Sequence, residues 1–278
     1  MGDVQRALKK LLVGRVRAVF NDRARGETPV RRSDDALFAR DTIIWRVHGD
    51  VTTMMVGGVA SLLLQMLHPA VLAGVWDHSS FRGDMLGRLR RTARFIALTT
   101  YGHRADAEAA IARVRRVHHQ VRGVLPDGTL YAADDPDLLL WVHATETACF
   151  LDAWIRYAQP AMPLAEQDRY FAQAAVVARA LGAVDVPDTR AGIVALIDRM
   201  RPGLRVDART HEVARLLLDQ RPPNLAAMPI QQVTFQAAVD LLPAWARHMH
   251  GLRTSPLARP IVQGSTLAIA RTLRWAFT

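Results

Sequence analysis

The ten histidines of this chain are spread unevenly, with His48, His68, His78, His103, His118, His119 and His143 all falling by position 143 of 278. Such a set beside apolar runs points to metal or haem chemistry. The adjacent pair His118 and His119 can be separated by geometry, because neighbours on an α-helix diverge by about 100° and cannot face one site. Ile111, Val114, His118 and Val121 share an apolar stripe, while His119 lies nearer the face of Arg115, Arg116 and Arg122. His118 is therefore the imidazole aimed inward, as axial ligation of haem iron requires, and arginines such as Arg122 could pair with propionates. The plain alternative is a buried histidine bonded to a carbonyl.

Arg88 and Thr92 are four residues apart and share a helical face that continues to Phe95, Ile96 and Thr99. If that face is buried, the guanidinium needs an anion: a haem propionate, a substrate carboxylate or an enzyme carboxylate. An ordinary solvated arginine-rich face is the competing reading. Three further clusters could supply polar pocket groups: Gln65 to Val71 with His68, Val75 to Arg82 with Asp77-His78-Ser79, and Leu140 to Glu146 with His143. Each also has a structural explanation, since His68 before a proline can end a helix, Asp77-His78-Ser79 can form a capped turn, and His143 can be a core residue.

Two other helical metal designs are disfavoured. No glutamate has a histidine three residues later, as a di-iron bundle needs, and His211-Glu212-Val213-Ala214-Arg215 lacks the second histidine of a zincin. Phosphate-cradling glycine loops are absent. Gly57-Gly58, inside an apolar helical pattern, suits close approach of another helix or of a flat ligand.

The elements that must position these residues read as helices almost throughout. Helical period is found over 37–47, 52–67, 69–76, 84–100 and 105–122, and again over 164–181, 189–200, 208–218, 230–249 and 256–275. Asp134 or Asp135 before Pro136 makes a cap for a long helix to Tyr157, and residues 125–131 carry turn chemistry. The expectation is an all-α, single globular multi-helix domain over 36–278 with a haem pocket between helices and no significant β-sheet. Residues 1–35 read as a basic helix and a polar linker.

Bulk properties limit the function without selecting it. The net charge of +10 comes almost wholly from arginine, because Lys9 and Lys10 are the only lysines. The basic stripe and stacking aromatics of a nucleic-acid binder are not evident. Cys149, the single cysteine, excludes a disulfide framework and covalent haem attachment through Cys-x-x-Cys-His. With charge in place of an apolar signal core at the N-terminus, a cytoplasmic setting is expected. The run 54–67 falls short of the roughly 20 apolar residues that span a bilayer and reads as a core helix. The amphipathic, basic stretch 4–20 can pack on the domain or make peripheral membrane contact.

Taken in order, the pieces resemble the rubber oxygenase (latex-clearing protein) catalytic-domain family, which includes the MpaB-type haem-dependent oxygenases. The residues that carry the likeness include Gly57-Gly58, Leu67-His68-Pro69-Ala70-Val71, Asp77-His78-Ser79 and Gly87 to Thr92. It continues through Tyr101-Gly102, Val117-His118, Asp135-Pro136 and Leu140-Trp141-Val142-His143. The resemblance implies a non-covalently held haem b, dioxygen as co-substrate, and oxidative chemistry on an unsaturated prenyl- or lipid-like molecule. It makes His118 the proximal iron ligand and Arg88 and Thr92 the family's arginine and threonine near the haem pocket; with the adjacent Arg91 these form the expected catalytic group. Arg88, Arg122, His68 and His143 join His118 as expected cofactor contacts, and Glu146 is a candidate for the family's active-site glutamate. Where relatives can have a lysine before the threonine, this chain has Arg91, whose guanidinium is a poor iron ligand. A haem or lipid carrier or sensor without turnover is the alternative function.

Overall fold

The computed structural model describes residues 2–21, 26–221 and 227–278. Among them are thirteen α-helices and one two-stranded sheet. The chain is all-α apart from that hairpin.

Two helices form the centre. α3 (Val51–Gln65) starts where the Asp50 side chain accepts from the Thr53 amide at 2.8 Å. α7 (Pro136–Tyr157) starts where Asp135 accepts from the Asp137 amide, with Pro136 fitted to the first turn. They pack along each other. A Cβ on Gly57 would lie 2.8 Å from the Cys149 carbonyl oxygen and 2.9 Å from Phe150 Cα, so the glycine permits the approach of a helix backbone, not of a flat ligand. The Trp141 indole donates to the Gln65 carbonyl at 3.2 Å, tying the C-terminal end of α3 to α7.

Around this pair lie two apolar clusters. One joins α3 and α7 to α4 (Pro69–His78), α10 (Ala208–Leu218), α11 (Met228–Leu241) and α12 (Ala244–His250). The other joins α7 to α2 (Ile43–His48), α8 (Leu164–Leu181) and α9 (Arg190–Met200). The chain turns by 104° between α3 and α4, so the apolar run closes a corner of the core; among the described residues no single helix is long and apolar enough to cross a membrane.

α5 (Met85–Tyr101) and α6 (Arg104–Gln120) pack together on one side. At the other end of the chain, α13 (Arg259–Phe277) packs on α3, α11 and α1 (Gly2–Phe20). α1 turns its Leu12, Val13 and Val16 inward and leaves Val4, Leu8 and Leu11 exposed. The polar segment after α1 is held to α5, with Arg94 donating to the Thr28 carbonyl and the Ser33 amide to the Tyr101 carbonyl. Residues 22–25 of the expected linker lie outside the described residues.

Three expected helices differ. The stretch 37–47 is helical only from Ile43, because 33–42 runs irregularly and buries Ala36 and Phe38 without a repeating turn. The expected helix 230–249 divides at Pro243: Leu242 takes an extended conformation, as a residue before proline must, and α12 begins after it. The helix expected to reach residue 122 stops at Gln120, and Arg122–Val124 (β1) instead pairs antiparallel with Leu130–Ala132 (β2). The turn residues 125–129 thus close a hairpin, with Gly128 at φ 86°. In this hairpin Gly123 opposes Tyr131, and a Cβ on Gly123 would meet the Tyr131 ring at 2.6–2.7 Å.

Candidate functional site

A cavity of about 340 Å³ lies among α2 to α8. α7 supplies one wall through Leu138, Leu139, Val142, His143, Glu146 and Phe150, the apolar-and-polar stripe that three- and four-residue spacing produces. α5 supplies Arg88, Phe95, Ile96 and Thr99, and α6 supplies Val117 and His118. Gly74 and His78 of α4 and Ala174 of α8 complete the enclosure.

His118 lines this cavity with its Nδ1 buried and without a hydrogen-bond partner. Burial lowers its pKa, outweighing the opposite pull of Asp134, so the ring is neutral, the state that binds a metal. Its neighbour His119 is at the surface, with Nδ1 3.0 Å from Asp134. Across the cavity wall on α7, His143 is buried, and its Nε2 also lacks a partner. Burial, assisted by the charge of Arg179, lowers its pKa to about 4.

Arg88 is half-buried and donates to Ser79 Oγ at 3.1 Å. No carboxylate pairs with it among the described residues. Burial, with the nearby charge of Arg91, lowers its pKa, so this guanidinium calls for an anion brought by a ligand.

Two groups at the inner wall carried weaker signals in the sequence. Glu146 has its carboxyl pushed up to about 7 by burial alone, although part of its surface is accessible. Because Glu146 lines the cavity, that accessible surface faces the cavity rather than bulk water. His48 lies with Nδ1 2.9 Å from the Thr100 hydroxyl and Nε2 3.1 Å from the Tyr170 hydroxyl, and burial lowers its pKa to about 3. In the sequence it stood out only as one of the seven histidines of the first 143 residues; the structure puts it with Ile44 on the cavity side of α2.

The structure does not bring every expected residue here. Thr92 shares the face of Arg88 but is exposed, its hydroxyl donating back to the Arg88 carbonyl at 3.3 Å; a long arginine reaches the cavity where a short threonine does not. Arg91 projects outward to Asp84 at 3.4 Å. Arg122 leaves α6 for the hairpin and pairs with Asp134 at 2.9 Å. His68 sits at the N-terminus of α4 against Trp141, with ring centroids 6.1 Å apart, and does not line the cavity.

No cluster of three or more His, Cys, Asp or Glu side chains among the described residues is arranged to hold a bare metal ion. An iron centre in this cavity needs a ligand that brings its own donors and takes one or two from the protein. The orphaned ring nitrogens of His118 and His143 and the unpaired Arg88 fit such a group, which is what porphyrin with its propionates provides.

A family model described as "ER-bound oxygenase mpaB/B'/Rubber oxygenase, catalytic domain" matches residues 45–275. No curated protein and no solved structure matches the chain. The matched span starts in α2 and ends in α13, takes in all seven helices around the cavity, and leaves out α1 and the polar segment after it. This chain belongs to the MpaB and rubber oxygenase catalytic-domain family, and it is an oxidoreductase of the oxygenase class.

Proposed function

We propose that the chain is a haem b-dependent oxygenase that uses dioxygen on a hydrophobic, unsaturated small molecule of prenyl or lipid character. The observation that carries this reading is His118, a neutral imidazole with an orphaned buried nitrogen, set in an otherwise largely apolar cavity. Haem iron, when bound, supplies the dioxygen activation that no protein side chain can. His118 would hold the iron, and Arg88, steadied by Ser79, would pair with a propionate. Phe95, Ile96, Val142 and Phe150 present an apolar surface that receives an alkene and keeps water from it. Glu146 holds a proton on its carboxyl near neutral pH and can deliver or recover it at the inner wall. The free, buried Cys149 suits a reducing, cytoplasmic setting.

Titration of haem into the purified chain tests the assignment. A saturable Soret band is expected, with His118→Ala weakening binding by more than about tenfold, since loss even of a group behind a metal ligand costs that much. A Soret band indifferent to His118→Ala, or none, overturns it. Oxygen uptake on adding unsaturated isoprenoids or fatty compounds separates turnover from mere carriage or sensing of haem or lipid.

A further inference from the structure

Of the residues that line the cavity, His78 and Val117 are the exposed ones, so the mouth opens between the C-terminal ends of α4 and α6. The β1–β2 hairpin stands beside this mouth. Val121 and Ala133, which line the cavity, lead directly into and out of it. On the inner face of the hairpin, Tyr131 donates to Asp77 at 2.9 Å and packs edge-on to His78, with centroids 6.4 Å apart.

The outer face is different in kind. Val124 and Leu130 form a cross-strand pair and are 59% and 78% exposed, and Val117 is 51% exposed at the mouth itself. Isolated exposed apolar residues need no explanation, but a paired set around a cavity entrance marks a contact surface. Beside it on α6, Arg113, Arg115 and Arg116 are exposed, and no carboxylate pairs with them among the described residues. Of the acidic groups nearby, Asp134 is paired with His119 and Arg122, and Asp127, held by the Thr129 amide in the hairpin turn, is a single negative charge against the three arginines.

We propose that the hairpin and the C-terminal half of α6 dock on an anionic lipid bilayer. Val117, Val124 and Leu130 enter the interface, and the free arginines meet lipid phosphates. Apolar side chains flanked by unpaired cations are the chemistry that a negatively charged membrane surface recognises. A stable protein interface needs a broader apolar core than these three side chains, whereas a few apolar side chains flanking a hairpin turn, with cations beside them, suffice to enter a bilayer interface. The cavity then opens toward the bilayer, so an apolar substrate passes into it without crossing water; this last step rests on the oxygenase reading above, whereas docking does not.

Co-sedimentation of the full chain with phosphatidylcholine vesicles, with and without phosphatidylglycerol, tests the surface. Binding is expected to favour the anionic vesicles. Val124→Ser with Leu130→Ser should lower the partition constant about tenfold by removing two apolar side chains from the interface. Arg113→Glu with Arg116→Glu should lower the anionic preference by about fivefold or more for each arginine, leaving the part that Arg115 carries. Neither double variant alters haem titration or thermal stability, because none of these residues lines the cavity or packs in the core. Indifference of the wild type to both vesicles, or wild-type partitioning by the Val124/Leu130 variant, overturns the proposal. So does a wild-type dimer that this variant makes monomeric, which would assign the face to a second copy. Haem titration and vesicle binding are separate readouts, so either can fail without the other.

Discussion

Glu146 and His118 occupy one cavity and are perturbed by the same cause, burial, with opposite consequences: the carboxyl is made neutral by taking up a proton and the imidazole by giving one up. For Glu146 the folded-state pKa is raised from 4.5 to about 7. The folded chain therefore keeps a proton that the unfolded chain releases, and stability falls as pH rises from about 4.5 through about 7. Glu146→Gln removes that dependence. It should leave stability unchanged below about pH 4 and raise it by up to about 3 kcal/mol above about pH 8, as urea denaturation across the range will report. At position 118, His118→Ala should remove most haem affinity, while His119→Ala, at the surface beside Asp134, should leave the Soret titration unchanged. The choice between these two histidines was legible in the sequence because direction around a helix axis follows from spacing alone. The failure of Thr92 to join Arg88 was not, because spacing carries no information on how far a side chain must reach.

Among the elements, α3 and α7 set the site by fixing the wall from which His143, Glu146 and Phe150 project. Their approach depends on Gly57, where a Cβ would strike the α7 backbone, and hardly on Gly58, where the nearest atom is a flexible ring edge at 3.7 Å. Gly57→Ala should destabilise by about 1–3 kcal/mol through overpacking. Gly58→Ala should be neutral or stabilise by up to about 1 kcal/mol through helix propensity. Thermal denaturation of the two variants distinguishes them. Periodicity located α7, α8 and α10 well, since each is regularly patterned and bounded by a clear signal: Asp135 before α7, Pro163 before and Gly182 after α8, and Asp207 before α10. It missed the hairpin, because three-residue strands offer too little alternation to register against a helical background. It also joined α11 to α12, where only the conformational restriction before Pro243 separates two helices with continuous apolar spacing.

Across the whole molecule, the C-terminal helix, packed on α3 and α11, is tied to the centre by an ion pair whose carboxylate is buried and whose guanidinium is partly exposed. Arg274 donates to Asp50 at 2.5 Å and to the Tyr157 carbonyl at 2.9 Å, joining α13 to the start of α3 and the end of α7. Asp50 is nearly inaccessible but keeps the Thr53 amide as a donor, and Arg274 is partly exposed, so Arg274→Ala should cost about 1–3 kcal/mol. Urea denaturation measures it, and a loss below about 1 kcal/mol would show the pair to be dispensable. Nothing at either end of the chain announced this contact, because partners more than two hundred residues apart leave no local pattern. The sequence by itself determined the all-helical class, the inward direction of His118 and the family, since helical period, turn chemistry and ordered motifs are properties of neighbouring residues. Only the tertiary structure decided that Arg88, His48, His143 and Glu146 meet His118 in one cavity while Arg91, Thr92, Arg122 and His68 do not. That outcome depends on how seven helices pack and where the chain bends, and packing is settled between segments that are distant in sequence.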